Sequence, residues 1–510
     1  MGERIMSKEQ YKSIATIFGE GGRPKNSQRE IKIIDTTFRD AHQSLWATRM
    51  RTDHMLGIAE TMNKIGFHHI DMMAPIQFDV SVRYLKEDPW ERVRELHKAA
   101  PETNFRALIR SKNIASFDFL PDDVIDGWVD QLFNNGFRVI GAFDGLNDVS
   151  NIARCLKRAK KLGAYTFGAL SFCESPVHTD ELFVNTAIEL IEQADVDAIM
   201  LKDAGGLLTP ERIRTLVPAV KKVIGDRPLE LHSHCLTSLC PVVYLEAVEL
   251  GCDLLHTSIS PLSNGAGQPA TQTIVKSLRE LGYIVNVDDE KIDEVSRYFK
   301  HICEVEGKPE GKPAEYNPLH YKHQLPGGML SNFHAQLETA GLGERYEELL
   351  EEIAKVRKEL AWPIMITPFA QFVGTQAVMN VISGERYGTV PNEIKKYVLG
   401  YYGRLLGPVD PDVYKKILKN GSSEISEKPT LPKPMMGDLA QQYPNATKDE
   451  LLLRAMFAGN QVDAMKDAIT NGESGDVYSG ELIAFIKDFA GGDEKRVSLS
   501  TGNLKVSISR

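Results

Sequence analysis

Between about residue 30 and residue 285 the chain alternates two textures eight times over. Short runs rich in aliphatic and β-branched residues recur as KIIDT (32–36), HHIDMM (68–73), NFRALIR (104–110) and FRVIGAF (137–143). The series continues with AYTFGALSF (164–172), DAIMLKD (197–203), LELHSH (229–234) and DLLHTSI (253–259). Between them lie stretches of helical periodicity, such as MLGIAETMNKIG and CLKRAKKLG, often stopped by a glycine. Eight strand–helix units in roughly 250 residues match the count and size of a (β/α)8 barrel. An open doubly wound sheet is the competing arrangement, but it usually carries a Gly-rich phosphate turn after its first strand. Here that position reads DTTFRDAHQS, without a glycine. The expected fold is α/β: a TIM barrel followed by a mainly helical C-terminal domain.

Past residue 285 the β texture ends. DDEKIDEVSRYFKHICEVEG, ERYEELLEEIAKVRKEL, NEIKKYVLGYYGRLLG and KDELLLRAMF read as amphipathic helices, separated by Pro- and Gly-bearing joints. The expected organisation is an N-terminal extension (1–30), the barrel (31–285), a helical domain (286–472) and a tail (473–510) whose KRVSLSTGNLKVSISR alternates like a final hairpin. At 510 residues the chain is too long for one ordinary domain. A net charge of −10 argues against non-specific nucleic-acid binding, which needs clustered positive charge. No apolar run is long enough to span a bilayer, so no direct membrane insertion is expected. MGERIMSKEQ has charges where a signal peptide needs an apolar core, and the six cysteines are scattered without a CxxC pair. These features read as a cytoplasmic protein with reduced thiols.

Barrel chemistry gathers at the C-terminal ends of the strands. The first strand end supplies Asp35, Arg39, Asp40, His42 and Gln43; the third supplies Arg110, the sixth Lys202 and Asp203, the seventh His232 and His234. Two imidazoles two residues apart on a strand project to one face. With a carboxylate they suit zinc, cobalt or manganese, and Asp40 is a neighbour two strands round a closed barrel. The competing reading is plainer: a strand-end histidine caps a loop, and Asp40 pairs with Arg39. Lys202 directly follows three apolar residues in IMLKDAGG, where a buried ammonium is costly unless paired or discharged. Asp203 is a poor partner for it, since adjacent strand residues point to opposite faces. A neutral amine that adds carbon dioxide becomes a carbamate, and Asp40, Lys202, His232 and His234 then form one closed metal set. Arg39 and Arg110, with Gln43, suit a substrate carboxylate or a developing enolate oxygen, or else tie loops together.

DTTFRDAHQSLWATRMRT resembles the opening motif of the biotin-dependent carboxyltransferase barrels: pyruvate carboxylase, the oxaloacetate decarboxylase alpha subunit and the pyruvate-side subunit of transcarboxylase. FDVSVRYLKEDPWERVREL, IMLKDAGGLLTP, QLPGGMLSN and ITPFAQFVGTQAVMNV are similar to further blocks of that family in the same order, from about residue 30 to 460. HQLPGGMLSN and VGTQAVMNV look closer to the decarboxylase and transcarboxylase branch than to pyruvate carboxylase. The resemblance implies that Asp40, Lys202 (carboxylated), His232 and His234 are metal ligands, and that Arg39, Gln43 and Arg110 bind pyruvate and its enolate. It also implies that Thr367, which by spacing alone is a helix N-cap before Pro368, shuttles a proton between biotin and substrate. Departures from the family pattern fall at Met73, Ala74, Pro75 and Ile76, at Cys235 and Leu236, and at Ala370.

The implied activity is transfer of a carboxyl group between carrier-bound biotin and pyruvate or oxaloacetate, as a transferase or a lyase. The nearest lookalike to a biotin-attachment turn is DAMKDA (463–468), where Lys466 sits in helical texture. Biotin is therefore expected on a separate carrier protein, with a second carboxylating or decarboxylating subunit as partner and a homodimer as the assembly. Two other readings stand: an acyl-CoA-dependent carbon–carbon lyase or synthase of the related metal-dependent barrels, and a non-catalytic scaffold. The first typically carries Gly-Glu-Gln where this chain has Ala41, His42 and Gln43; the intact metal set weighs against the second.

Overall fold

The computed structural model describes residues 28–326, 337–338, 342–457, 459–473, 496–501 and 504–509. Eight strands close a barrel in sequence order: β1 (Lys32–Asp35), β2 (His69–Met73), β3 (Phe105–Arg110), β4 (Val139–Phe143), β5 (Tyr165–Ser171), β6 (Ala198–Asp203), β7 (Leu229–Ser233) and β8 (Leu254–Thr257). Neighbouring strands run parallel, and β8 returns to pair with β1. Nearly every strand residue is buried, as a parallel sheet covered by helices outside and side chains inside requires. All eight expected strands are present, shortened at their ends by one or two residues that turn into loops.

The barrel helices start on the signals their sequences carry. Asp88, Thr179 and Thr209 each accept hydrogen bonds from backbone N–H groups of the helices starting at Pro89, Asp180 and Pro210. Each such cap contributes about 1 kcal/mol. One hydrophobic core fills and surrounds the barrel, and helices Asp289–Glu306, Lys448–Met456 and Gln461–Thr470 add Val295, Leu452 and Met465 to it. A second core gathers Ile353, Val356, Phe369, Val373 and Ile394 from helices Tyr346–Glu359, Phe369–Ser383 and Asn392–Val398. Leu146, in the loop after β4, belongs to this second core and so ties the helical part to the C-terminal mouth of the barrel.

Strands Arg496–Thr501 and Leu504–Ser509 pair antiparallel, the hairpin that their alternation predicts. Residues 1–27 of the expected extension, and residues 327–332 of the HQLPGGMLSN motif, lie outside the described residues. Lys466 stands on helix Gln461–Thr470, where its ammonium donates to Glu450 at 2.9 Å. Among the described residues no helix is long and apolar enough to cross a membrane.

Candidate active site

The two imidazoles of β7 meet Asp40 just past the end of β1. Asp40 Oδ2 lies 2.9 Å from His232 Nε2 and 3.1 Å from His234 Nε2. His232 is within the strand and His234 one residue beyond it, yet the two-residue spacing still brings both rings to the same carboxylate oxygen. All three side chains are buried, and their ligand-type atoms lie within 4.8 Å of one another. Asp40 is delivered by a short helical turn, Thr37–Ala41, that Asp35 anchors by accepting from the backbone and hydroxyl of Thr37. Asp35 and His42, both at this strand end, are thus loop-forming: His42 Nε2 meets Phe38 O at 3.0 Å.

Sequence reasoning missed Gln268. Its amide nitrogen is 2.8 Å from Asp40 Oδ2, 3.1 Å from His234 Nε2 and 3.4 Å from His232 Nε2. Its oxygen lies 2.9 Å from Thr36 Oγ1. The amide nitrogen, with two N–H bonds, thus faces three acceptor-type atoms in the space they share. The donor set, one carboxylate oxygen and two imidazole nitrogens converging on one point, fits a borderline divalent cation. The only signal for Gln268 in the sequence is its place in the glycine-bearing loop SNGAGQPA after β8.

Arg39 is shared by two carboxylates. Its Nε donates to Asp71 Oδ2 at 2.8 Å, and Nη1 is 2.8 Å from Asp40 Oδ1. The plain ion pair considered for Arg39 and Asp40 is therefore real, and Asp71 in the middle of β2 completes it. Burial alone would raise the Asp40 carboxyl, but the Arg39 guanidinium is the largest opposing cause and the carboxyl stands well below the usual carboxylate range. Burial, then the charge of Lys202, pushes the His232 imidazole well below its ordinary value, so it stands as a neutral ligand.

Lys202 is the cross-strand neighbour of His232 between β6 and β7. It is buried, with its ammonium 5.5 Å from the centre of the Phe143 ring. Among the described residues no carboxylate lies within ion-pair distance of it. Asp203 points elsewhere, accepting from Leu207 N, Leu208 N and Ser233 Oγ at 2.9, 2.9 and 2.7 Å. Burial brings the Lys202 amine down to about 8, with Asp40 opposing and Arg39 reinforcing the shift.

The remaining candidates lie further round the mouth. Arg110, at the end of β3, donates to Ser116 O at 2.8 Å, and burial lowers it to about 10. Gln43 is 3.5 Å from the Gln77 amide, which in turn donates to Arg39 O at 3.1 Å. Thr367 does not cap the helix that follows it: its hydroxyl receives a 3.2 Å hydrogen bond from Gln371 one turn on. Among the described residues none of these three joins Asp40, His232 or His234 by a side-chain hydrogen bond or ion pair.

Gly206, in the loop after β6, has φ +62°, and an added Cβ would stand 2.5 Å from His234 O. The Gly206→Ala variant is expected to lose about 2 kcal/mol of unfolding free energy from the left-handed backbone and the clash together. It should also bind metal more weakly, because the collision displaces the His234 backbone; a urea titration and a chelator competition measure the two effects.

Two family models match the chain: a conserved carboxylase domain over residues 321–507 and an HMGL-like domain over residues 145–298. A pyruvate carboxylase subunit of Methanocaldococcus jannaschii is 42% identical over 78% of this chain and 70% of its own length. The methylmalonyl-CoA carboxyltransferase 5S subunit of Propionibacterium freudenreichii is 34% identical over 86% of each chain. The carboxyl transferase domain of Rhizobium etli pyruvate carboxylase, solved with pyruvate and biocytin, superposes with TM-score 0.76 at 25% identity, covering 88% of this chain and 78% of that one.

Proposed function

Since the chain belongs to the biotin-dependent carboxyltransferase barrel family, we propose that it moves a carboxyl group between carrier-bound biotin and pyruvate or oxaloacetate. The observation that carries this reading is the buried convergence of Asp40, His232 and His234, with Lys202 beside them and Arg39 in contact, at the C-terminal mouth of the barrel. Asp40, His232, His234 and Lys202 as a carbamate would hold a divalent ion, zinc, cobalt or manganese. When bound, that ion supplies Lewis-acid stabilisation of a developing enolate oxygen.

The chain's own groups do the rest. Arg39 and Arg110, with Gln43, hold the keto-acid carboxylate and orient its methyl group. Arg39 performs this while tied to Asp40 and Asp71, so its guanidinium is preorganised. The N–CO2 bond of carboxybiotin breaks, releasing carbon dioxide and leaving the electron pair on the ureido group. The Thr367 hydroxyl passes the pyruvate methyl proton to that group, and the enolate carbon attacks carbon dioxide to give oxaloacetate. The reverse sequence decarboxylates oxaloacetate.

The chain works in this reading as a cytoplasmic homodimeric subunit that receives biotin from a separate carrier protein and acts with a second carboxylating or decarboxylating subunit. Incubation of the pure protein with oxaloacetate and free biotin tests the core of it: pyruvate release should rise with biotin and require metal. Release indifferent to biotin across zinc, cobalt and manganese would sink the proposal, and condensation of acetyl-CoA with a keto-acid would favour the acyl-CoA reading instead. In the Thr367→Ala variant, transfer should fall below detection while bound metal, measured by atomic absorption, stays at the native level. Full turnover in that variant removes the proton-shuttle role.

A further inference from the structure

Below the Asp40 cluster the barrel interior holds a second line of polar side chains that the reaction does not use. His232 Nδ1, the nitrogen facing away from Asp40, lies 3.1 Å from His256 Nδ1 on β8. The other nitrogen of His256, Nε2, is 3.1 Å from Glu230 Oε2 on β7. The same carboxylate oxygen accepts a 2.9 Å hydrogen bond from Arg106 Nη1 on β3. Arg106 in turn lies 3.6 Å above the Phe167 ring of β5. That ring occupies the space left by Gly141 on β4, where an added Cβ would come within 2.1 Å of it. All of these side chains are buried.

Hydrogen-bond arithmetic gives this line a direction. A carboxylate only accepts, so the His256 Nε2 facing Glu230 must carry a proton. A cation held at His232 Nε2 takes that lone pair, so His232 Nδ1 carries the ring's proton and faces His256 Nδ1. His256 Nδ1 then accepts, and that ring's own proton stands on the Nε2 that meets Glu230. His232 is left with a bare Nε2, its lone pair directed at Asp40 Oδ2. Two lone pairs facing at that distance repel unless a cation or a donor such as the Gln268 amide stands between them.

We propose that His256 and Glu230, backed by Arg106, are positioning residues that hold His232 in the tautomer whose bare Nε2 faces Asp40 and His234. The relay rests on the metal reading above, because ligation at Nε2 is what sets its hydrogen-bond direction. Partners of this kind raise ligand basicity, and their loss typically costs 10–100-fold in metal affinity.

Two measurements test it. In zinc-loaded protein carrying 15N-labelled histidine, long-range 1H–15N correlation should report His232 protonated at Nδ1 and His256 at Nε2. The signals are assigned by their loss in His232→Ala and His256→Asn. Chelator competition for zinc, cobalt and manganese should then rank the variants. His256→Leu should bind roughly 10–100-fold more weakly than native protein. His256→Asn, whose side-chain oxygen offers an acceptor where Nδ1 stood, should recover to within a few-fold. A native His232 protonated at Nε2 overturns the relay, as does His256→Asn binding no better than His256→Leu. Native protein that binds none of the metals refutes the metal reading and the relay with it, whereas native binding that His256→Leu leaves unchanged refutes the relay alone.

Discussion

Asp40→Ala is expected to strip the protein of metal and lower oxaloacetate turnover by roughly 10³-fold or more, the scale of losing both a ligand and an electrostatic support at the reacting centre. Asp40 is the group on which the site converges. One of its oxygens meets His232 Nε2, His234 Nε2 and the Gln268 amide, and the other meets Arg39. Its removal leaves two imidazoles without the carboxylate that draws them together. It also leaves the Arg39 guanidinium with Asp71 as its remaining carboxylate partner. A partly uncompensated buried charge lowers stability as well, so a thermal melt must accompany the assay. Asp40→Asn separates the two effects, because it keeps the volume and an acceptor oxygen while removing the charge. Metal content and turnover should fall in both variants; native-level metal in either would remove Asp40 from the ligand set.

The second large effect is expected at Lys202. A lysine amine that titrates near 8 is substantially neutral in mildly alkaline solution, and only the neutral amine adds carbon dioxide. In 13C-bicarbonate, the carbamate signal of the metal-free protein should therefore grow as pH rises through about 8 and fade below it. Metal affinity should follow bicarbonate concentration in the native protein and be indifferent to it in Lys202→Ala, whose turnover should fall by about 10²-fold or more. Lys202→Glu places a permanent carboxylate on a shorter stem, and it should recover part of the metal binding without the bicarbonate dependence. Absence of a carbamate signal on both sides of pH 8, together with affinity indifferent to bicarbonate, removes the carbamate from the site.

The elements were legible in the chain because a parallel strand buried on both faces has to be a short apolar run, and a barrel repeats such runs at regular intervals. AIMLKD and LELHS show this, and the observed strands differ from the reading only at their frayed ends. The His-x-His spacing carried its own meaning, since a period of two sends both rings to one face. What it lacked was the third partner, which is nearly two hundred residues away in the chain and adjacent only once β8 closes on β1. Gln268 and His256 left no such trace. A glutamine in a glycine-bearing loop and a lone histidine in an apolar strand are ordinary residues until the closed barrel brings them to Asp40 and His232. Arg39 was read either as a substrate-binding group or as the ion-pair partner of Asp40; the structure adds a second carboxylate, Asp71, which no local pattern joined to it.

By itself the sequence determined the architecture and the kinds of ligand at its mouth: periodicity and residue chemistry are local properties, carried within a strand or a turn. Only the tertiary structure decided which atoms meet. It made Asp40 the common partner of two imidazoles, left Lys202 without an acid at ion-pair distance among the described residues, and set the line from Arg106 through Glu230 and His256 behind His232. The physical reason is closure. Side chains from β1, β3, β6, β7 and β8 share one buried interior, and there each polar group must find its partner across the barrel, not along the chain.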